Sequence, residues 1–189
     1  SANRKFIFAI LPIGDNQRIA NSFNCSDLDN AVLAIKTRRT MVIDLGRLNN
    51  RHYFVTAATF YGRASVDFLS YSVSSLRPEY EISACNVNIY SDIKKFHGQR
   101  IFDSRDGQLE AVVAYPTAKR TFLAGFSSPP NIKSNFKVES VFPFKKAVIQ
   151  SQAKTIKVLA DVEKEFSSPV AVEVVPARLE VIVGFKKEL

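Results

Sequence analysis

The chain has 189 residues, of which 46% are hydrophobic and 23% are charged, the balance of a globular domain with a substantial core. No run approaches the roughly 20 consecutive apolar residues of a membrane-spanning helix, and the N-terminal apolar run is too short for a signal peptide. The 2 cysteines argue against a disulfide framework, so we expect a cytoplasmic protein, at most peripheral at a membrane.

The charge balance favours a negatively charged partner. Lysine and arginine number 26 against 18 acidic residues, a formal net charge of +8. Such an excess suits the anionic surface of a membrane or nucleic acid, although a merely solvated basic surface is an equal alternative. Aromatic residues follow no RNA-binding or zinc-finger pattern, so nucleic acid is the less favoured partner.

The first 37 residues predict a strand, a turn and helices. Residues 6–11 form an apolar run that ends at Pro12, which predicts a buried strand and a turn. Residues 17–23 suit a short helix. A longer helix is predicted from Ser26, which with Asp29 approximates a capping box. Its apolar positions recur at helical spacing and predict one buried stripe: Leu28, Ala31, Val32 and Ile35.

After residue 38 the apolar period changes to two. Alternating runs on both sides of Asn49 and Asn50 predict a hairpin, because asparagine tolerates the positive φ of a tight turn. Residues 64–76 are predicted to form a second helix from the spacing of their apolar side chains. Those side chains are Val66, Leu69, Val73 and Leu76.

The remaining chain predicts mainly strands. Strands are predicted at residues 85–90, at residues 109–115 after the Asp106-Gly107 turn, and around 146–150, 155–160, 170–175 and 179–183. A short helix is predicted over 119–126. Many short strands separated by turns predict a mainly β fold, an antiparallel β-sandwich or barrel with a few short helices. We expect residues 38–189 to form this domain. Residues 1–37, a strand-turn-helix segment too small to fold alone, are expected to rest against it.

Four blocks of the chain resemble, in order, motifs of one known family. Leu11-Pro12-Ile13-Gly14 followed by Ile19-Ala20 resembles a Leu-Pro-x-Gly-Thr-x-Asn-Asp-Phe-Ala segment, and residues 43–50 resemble an Asp-Leu-Gly-x-Val-Asn-Gly hairpin. Residues 103–109 resemble an Asp-Gly-x-Leu turn, and residues 160–183 resemble an Asp-Gly-Glu turn with closing Val-x-Pro-x-x-Leu-x-Val strands. The family is that of the lipid kinases, which includes diacylglycerol kinases, sphingosine kinases and ceramide kinase.

The resemblance implies the C-terminal part of a two-domain enzyme. In that family a nucleotide-binding domain with a Gly-Gly-Asp-Gly phosphate loop precedes a β-sandwich that faces the lipid, and the active site lies between them. The loop has no counterpart in these 189 residues. We therefore expect a lipid-binding substrate domain that is inactive as this chain alone. With an N-terminal kinase domain and its ATP, it would support phosphorylation of a lipid hydroxyl.

The nucleotide-binding segment of the family is degenerate in this chain. Gly14, Asp15 and Asn16 are the expected remnant, and Arg18 stands where the family has an acidic residue. Bulkier side chains also replace family glycines within residues 54–62. The alternative for this remnant is simply a turn and a helix cap.

Asp161 and Glu163 are the candidate catalytic residues implied by the resemblance. Two carboxylates at positions i and i+2 of a turn can hold a metal or accept a proton from a hydroxyl. Val162 stands in place of the family glycine, and a charged hairpin turn without catalytic role is the alternative.

Asp103, Asp106 and Gln108 resemble a segment where bacterial members of the family hold a structural Mg²⁺. Their oxygen atoms suit a hard cation. The alternative is an Asp-Gly hairpin that binds no metal.

A non-catalytic scaffold is the rival function from another class. Edge strands that lack their neighbouring domain need covering, and a homodimer or larger homo-oligomer would cover them. A basic nucleic-acid-binding domain is the third and weakest hypothesis.

Overall fold

The computed structural model describes residues 6–13, 18–74, 79–90, 102–117, 136–151 and 153–185. Two β-sheets pack face to face in this part of the chain, together with two helices. The predicted β-sandwich is therefore confirmed. No helix within these ranges is long and apolar enough to cross a membrane.

The first sheet has seven strands. Six run in the order β3 (His52–Phe54), β2 (Thr40–Leu48), β13 (Val170–Ile182), β10 (Lys146–Ser151), β5 (Ala64–Asp67) and β6 (Ser72–Ser74). The seventh, β1 (Ile7–Phe8), pairs in parallel with the C-terminal half of β13, whereas the other pairs are antiparallel.

The second sheet has six antiparallel strands. They run in the order β12 (Val162–Ser167), β11 (Thr155–Ala160), β4 (Ala57–Phe60), β7 (Glu81–Cys85), β8 (Leu109–Pro116) and β9 (Phe136–Phe144). The main core lies between the sheets. Phe54 and Ile149 of the first sheet belong to one buried cluster with Phe60 and Leu109 of the second.

The longer predicted helix is present, with a different cap and a different buried face. Helices α1 (Arg18–Ser22) and α2 (Leu28–Thr37) follow β1. Asp27 caps α2, because its carboxylate accepts the backbone N–H of Asn30 at 2.8 Å, so the capping box at Ser26 is wrong. Only Ala31 of the predicted stripe is buried, together with Ala34, since small residues allow the helix to lie close to its neighbours. Leu28, Val32 and Ile35 are exposed.

The N-terminal strand is not buried, contrary to the prediction. β1 contains two residues and, in the part of the chain that is described, has β13 as its single neighbour. The side chain of Phe6 just before it is 70% exposed, and Phe8 is 52% exposed. An edge position explains this, because one side of the strand has no partner there.

Residues 64–74 of the predicted helix over 64–76 form a β-hairpin, and Leu76 lies outside the described residues. β5 and β6 pair with Val66 opposite Val73, and the N–H of Phe68 donates to the carbonyl of Tyr71 to close the turn. The helix prediction is wrong because two residues opposite each other in a hairpin can have the i, i+7 spacing of a helical face.

Other strand predictions are confirmed in part. The Asn49-Asn50 turn joins β2 to β3 with φ of 46° and 59°. β13 is one strand with a bulge where two strands were predicted. The strand predicted over residues 85–90 is wrong apart from its first residue, because β7 (Glu81–Cys85) ends there. β9 and β12 were not predicted. The predicted helix over 119–126 lies outside the described residues.

Gly46 yields a test of the core. It lies opposite Phe54 in the pairing of β2 with β3, and a β-carbon at Gly46 would overlap the Phe54 ring. We expect Gly46→Ala to lower the free energy of unfolding by about 1–3 kcal/mol, measured by urea denaturation, because a packed ring has to move. In a Phe54→Leu background the same substitution should cost less. An equal cost in both backgrounds would mean that the ring is not the cause.

Candidate functional site

A buried carboxylate on β2 joins three separate segments of the chain. Asp44 is 2% exposed, and its two oxygens accept the backbone N–H groups of Gly107 at 2.7 Å and Ala177 at 2.8 Å. Its own N–H donates to the carbonyl of Ser104 at 2.7 Å, and its carbonyl accepts the side-chain amide of Asn86 at 2.9 Å. Asp44 therefore holds the turn before β8, the bulge of β13 and the segment after β7.

Both N–H groups bound by Asp44 belong to residues in the left-handed region. Gly107 has φ of 73°, which glycine adopts at little cost, whereas Ala177 has φ of 49°, which costs a residue with a β-carbon roughly 1–2 kcal/mol. A hydrogen bond to a charged group contributes about 1.5–3 kcal/mol, enough to offset that strain. The carboxylate thus stabilises backbone that would otherwise relax.

Asp161 occupies a similar position at the turn between β11 and β12. Its carboxylate accepts the N–H of Val55 at 2.8 Å, the N–H of Thr56 at 3.3 Å and the hydroxyl of Thr56 at 2.7 Å. These bonds tie the turn to the connection between β3 and β4, which crosses from one sheet to the other. Because a carboxylate offers about four acceptor positions, Asp161 has room for one further donor, such as a ligand hydroxyl.

Asn86 connects the main chain at Asp44 to the main chain at Val55, which binds Asp161. Its side-chain NH₂ group donates both to the carbonyl of Asp44 and to the carbonyl of Val55, each at 2.9 Å. Its side-chain oxygen is buried and has no hydrogen-bond partner in the described part of the protein, the kind of atom that a water or ligand normally satisfies. We call Asp44, Asn86, Val55, Thr56 and Asp161 the polar chain.

The polar chain contains one predicted catalytic residue. Asp161 belongs to it, whereas Glu163 lies on β12 opposite Leu159 and its side chain is outside the described ones. The predicted nucleotide-binding remnant, Gly14, Asp15 and Asn16, also lies outside the described residues. The catalytic and nucleotide-binding roles stay predictions.

Asn86 and Thr56 were missed as site residues. Asn86 stands in a segment whose alternation predicts an ordinary strand, and nothing in that alternation distinguishes a buried amide from an exposed one. The resemblance of residues 43–50 to a family hairpin was the only signal near Asp44.

The predicted magnesium ligands make hydrogen bonds within their own turn. Both carboxylate oxygens of Asp103 bind the guanidinium of Arg105, at 2.8 and 3.1 Å, and an oxygen of Asp106 accepts the N–H of Gln108 at 2.9 Å. Across the described ranges no group of three or more His, Cys, Asp or Glu residues is placed to hold a metal. A Mg²⁺ ion at this turn stays a prediction.

The turn before β8 concentrates acidic groups beside Asp44. Burial raises the pKa of Glu110 to about 7, and the negative charges of Asp106 and Asp103 raise it further. The N–H of Phe102 donates to the Glu110 carboxylate at 3.1 Å and acts in the opposite direction. Burial also raises the pKa of Asp106, against its hydrogen bond from Gln108, and Asp103 and Asp44 raise it further. Glu110 therefore exchanges a proton near neutral pH.

Comparison with solved structures identifies the fold. A diacylglycerol kinase of Bacillus anthracis str. Sterne aligns with 87% of this chain at 11% identity and a TM-score of 0.58. Two structures from the same strain assigned as diacylglycerol kinases each align with 94%, at 11% and 12% identity and TM-scores of 0.64 and 0.65. The chain spans 64%, 69% and 70% of the length of these three proteins. At such identities the likeness shows a shared fold.

Comparison by sequence gives no further assignment. Neither a protein-family model nor a curated protein matches the chain.

Removing the charge of Asp44 should destabilise the fold. In Asp44→Asn one oxygen becomes an NH₂ group that cannot accept a hydrogen bond, so the N–H of Gly107 or of Ala177 loses its acceptor. We expect the free energy of unfolding to fall by about 2–3 kcal/mol in urea denaturation. Asp29→Asn, on the exposed side of α2, is the matched control and should change it by less than about 1 kcal/mol. A loss in Asp44→Asn no larger than in the control would contradict the assigned role.

Glu110 should make stability depend on pH. Because its pKa rises from 4.5 to about 7 on folding, the folded state binds more protons between these values, and stability falls as pH rises through that window. The fall should be about 1–3 kcal/mol relative to Glu110→Gln, which can still accept the N–H of Phe102 but does not titrate. Urea denaturation of both proteins at about pH 5 and pH 8 measures the difference. Parallel pH profiles would show that Glu110 does not titrate as assigned.

Proposed function

We propose that this chain is the lipid-binding substrate domain of a diacylglycerol kinase-like lipid kinase. The observation that carries the proposal is the fold, which is shared with solved diacylglycerol kinase structures over 87–94% of the chain. The sequence blocks that resemble the lipid kinases add support. Two of them contain the carboxylates of the polar chain, Asp44 and Asp161.

Asp161 is the residue best placed to receive a lipid hydroxyl. Phosphoryl transfer requires a group that orients the attacking hydroxyl and accepts its proton. The backbone of Val55 and Thr56 fixes the Asp161 carboxylate and leaves about one acceptor position for that hydroxyl. Glu163, two residues further along, is the second candidate for the same role.

The proposal assigns binding, not turnover, to this chain alone. The Gly-Gly-Asp-Gly loop of the resembling family is not in the sequence, so ATP would be bound by an upstream nucleotide-binding domain. The net charge of +8 would assist by attracting the protein to the anionic cytoplasmic face of a membrane, as a peripheral protein.

Vesicle flotation tests this function. We expect the chain to float with phosphatidylcholine vesicles that contain diacylglycerol, at low and at high salt, and to bind pure phosphatidylcholine at least about tenfold less well. Asp161→Asn should weaken the diacylglycerol-dependent part about tenfold, because an uncharged acceptor binds a hydroxyl less strongly. Asp67→Asn, an acidic residue on β5, is the control and should leave flotation unchanged.

Two results would contradict the proposal. Binding only to phosphatidylserine vesicles, lost at high salt, would indicate a basic surface without lipid selectivity. Failure to float with any vesicle would leave the non-catalytic scaffold as the better hypothesis.

The scaffold alternative is favoured by the edge strand β1. Phe6, Ile7 and Phe8 are exposed there, and pairing with β1 of a second copy would cover them. Light scattering distinguishes the two functions, since a concentration-independent dimer without vesicle binding supports the scaffold. Nucleic acid has no observation in its favour beyond the net charge.

A further inference from the structure

An open groove of about 620 Å³ lies against the first sheet, where β1, β2, β3 and β13 meet. Its volume is in the range of small-molecule sites. Six of the lining residues are apolar: Phe6, Phe8, Val42, Leu45, Ala177 and Leu179. The groove does not include Asp161 or Asn86, so it is separate from the part of the polar chain assigned to the lipid hydroxyl.

The apolar lining is poorly covered by the protein itself. Phe6 is 70% exposed, Phe8 is 52% exposed and Val42 is 40% exposed. Exposed apolar side chains around one groove mark a binding site more often than scattered single residues do. An alkyl chain laid along these side chains would remove their surface from water at roughly 25 cal/mol per Å².

The groove contains an arginine that has no acidic partner among the described residues. The guanidinium of Arg178 lies 6.0 Å from the centre of the Tyr53 ring, and both residues line the groove. The guanidinium of Arg47 also approaches that ring, at 5.9 Å, but its charge is balanced by Glu173 at 2.8 Å. Within the described residues Arg178 has no ion pair, so its charge is available to an anion.

The backbone fixes the position of Arg178 in advance. It follows Ala177 in the bulge of β13, where the pairing with β2 shifts between Val175 and Leu179. Asp44 holds the N–H of Ala177 at 2.8 Å, so the bulge is anchored to a buried group. Less conformational freedom is then lost when a ligand binds.

We infer that this groove binds a single-chain anionic amphiphile. Its alkyl chain lies along the apolar lining, and its carboxylate or phosphate pairs with Arg178. Glu180 also lines the groove. The inference goes beyond the proposed function, because it needs neither a kinase activity nor Asp161.

Titration with soluble amphiphiles tests the groove. Dodecyl phosphate, dodecanoate, dodecanol and inorganic phosphate would be titrated, below the concentrations at which micelles form, and followed by calorimetry or by NMR shifts. We expect both anionic amphiphiles to bind, dodecanol to bind about tenfold less well, and inorganic phosphate not to bind. Binding of inorganic phosphate as strong as that of dodecyl phosphate would overturn the inference, because it would make the alkyl chain irrelevant.

Variants locate the binding. Arg178→Ala should weaken dodecyl phosphate binding about tenfold, and Val42→Glu should reduce it at least tenfold. Arg63→Ala is the matched control, since Arg63 is an exposed arginine that lines a different depression, and it should leave affinity unchanged. Circular dichroism verifies that each variant is folded. Equal affinity in wild type, Arg178→Ala and Val42→Glu, or no binding by the wild type, overturns the inference.

The outcome is independent of the lipid-kinase-like proposal. Diacylglycerol-dependent flotation that is retained in Arg178→Ala while dodecyl phosphate binding falls about tenfold supports both. Flotation without any dodecyl phosphate binding overturns the groove alone, and the reverse result overturns the proposed function alone.

Discussion

The buried carboxylate of Asp44 is the constraint on which the arrangement of this protein depends. A charge removed from water is costly unless it is fully hydrogen-bonded, and Asp44 is bound by two backbone N–H groups from distant parts of the chain. One belongs to the turn that begins β8 in the second sheet, and the other to the bulge of β13 in the first. The bonds therefore join the sheets near one end of the sandwich, where close packing of apolar side chains alone would not fix the loops.

Both candidate binding regions follow from that anchor. The side chain of Asn86 donates to the carbonyls of Asp44 and Val55, and the N–H of Val55 donates to the carboxylate of Asp161. These hydrogen bonds are 2.8–2.9 Å long. The N–H of Ala177 also donates to Asp44, and the next residue, Arg178, lines the apolar groove. The groove and the polar chain are distinct in chemistry, since one is apolar with a single cation and the other consists of carboxylates and amides. Both are held by hydrogen bonds to Asp44, so a substitution at Asp44 should disturb the geometry of both.

Features that depend on neighbouring residues, such as turns and strand alternation, can be predicted from the sequence. Many other features depend on residues far along the chain. The β-sandwich and the Asn49-Asn50 turn were predictable, because alternation and asparagine act locally. The hairpin of β5 and β6 was not, because the seven-residue separation of Val66 and Val73 fits a helix as well as a pair of strands. The exposed stripe of α2 was unpredictable for another reason, since periodicity shows that apolar residues share a face but not what lies against it. At the candidate site Asp161 was predictable from a resemblance, whereas Asn86 acts through residues 31 and 42 positions away.

The family-like residues that this chain retains are those that hold backbone in place. Asp44 binds two main-chain N–H groups and Asp161 binds two more, as well as the hydroxyl of Thr56. The sequence departs from the motifs it resembles at Arg18 and within residues 54–62, and the latter range includes Val55 and Thr56 of the polar chain and strand β4 of the sandwich. Selection for the fold alone would keep the first group, so their presence is not by itself a sign of catalysis. What separates a lipid-binding domain from an inert sandwich is whether the spare acceptor position on Asp161 engages a ligand, and the groove at Arg178 is a separate question. Binding, rather than turnover, is thus the property by which this chain is to be judged.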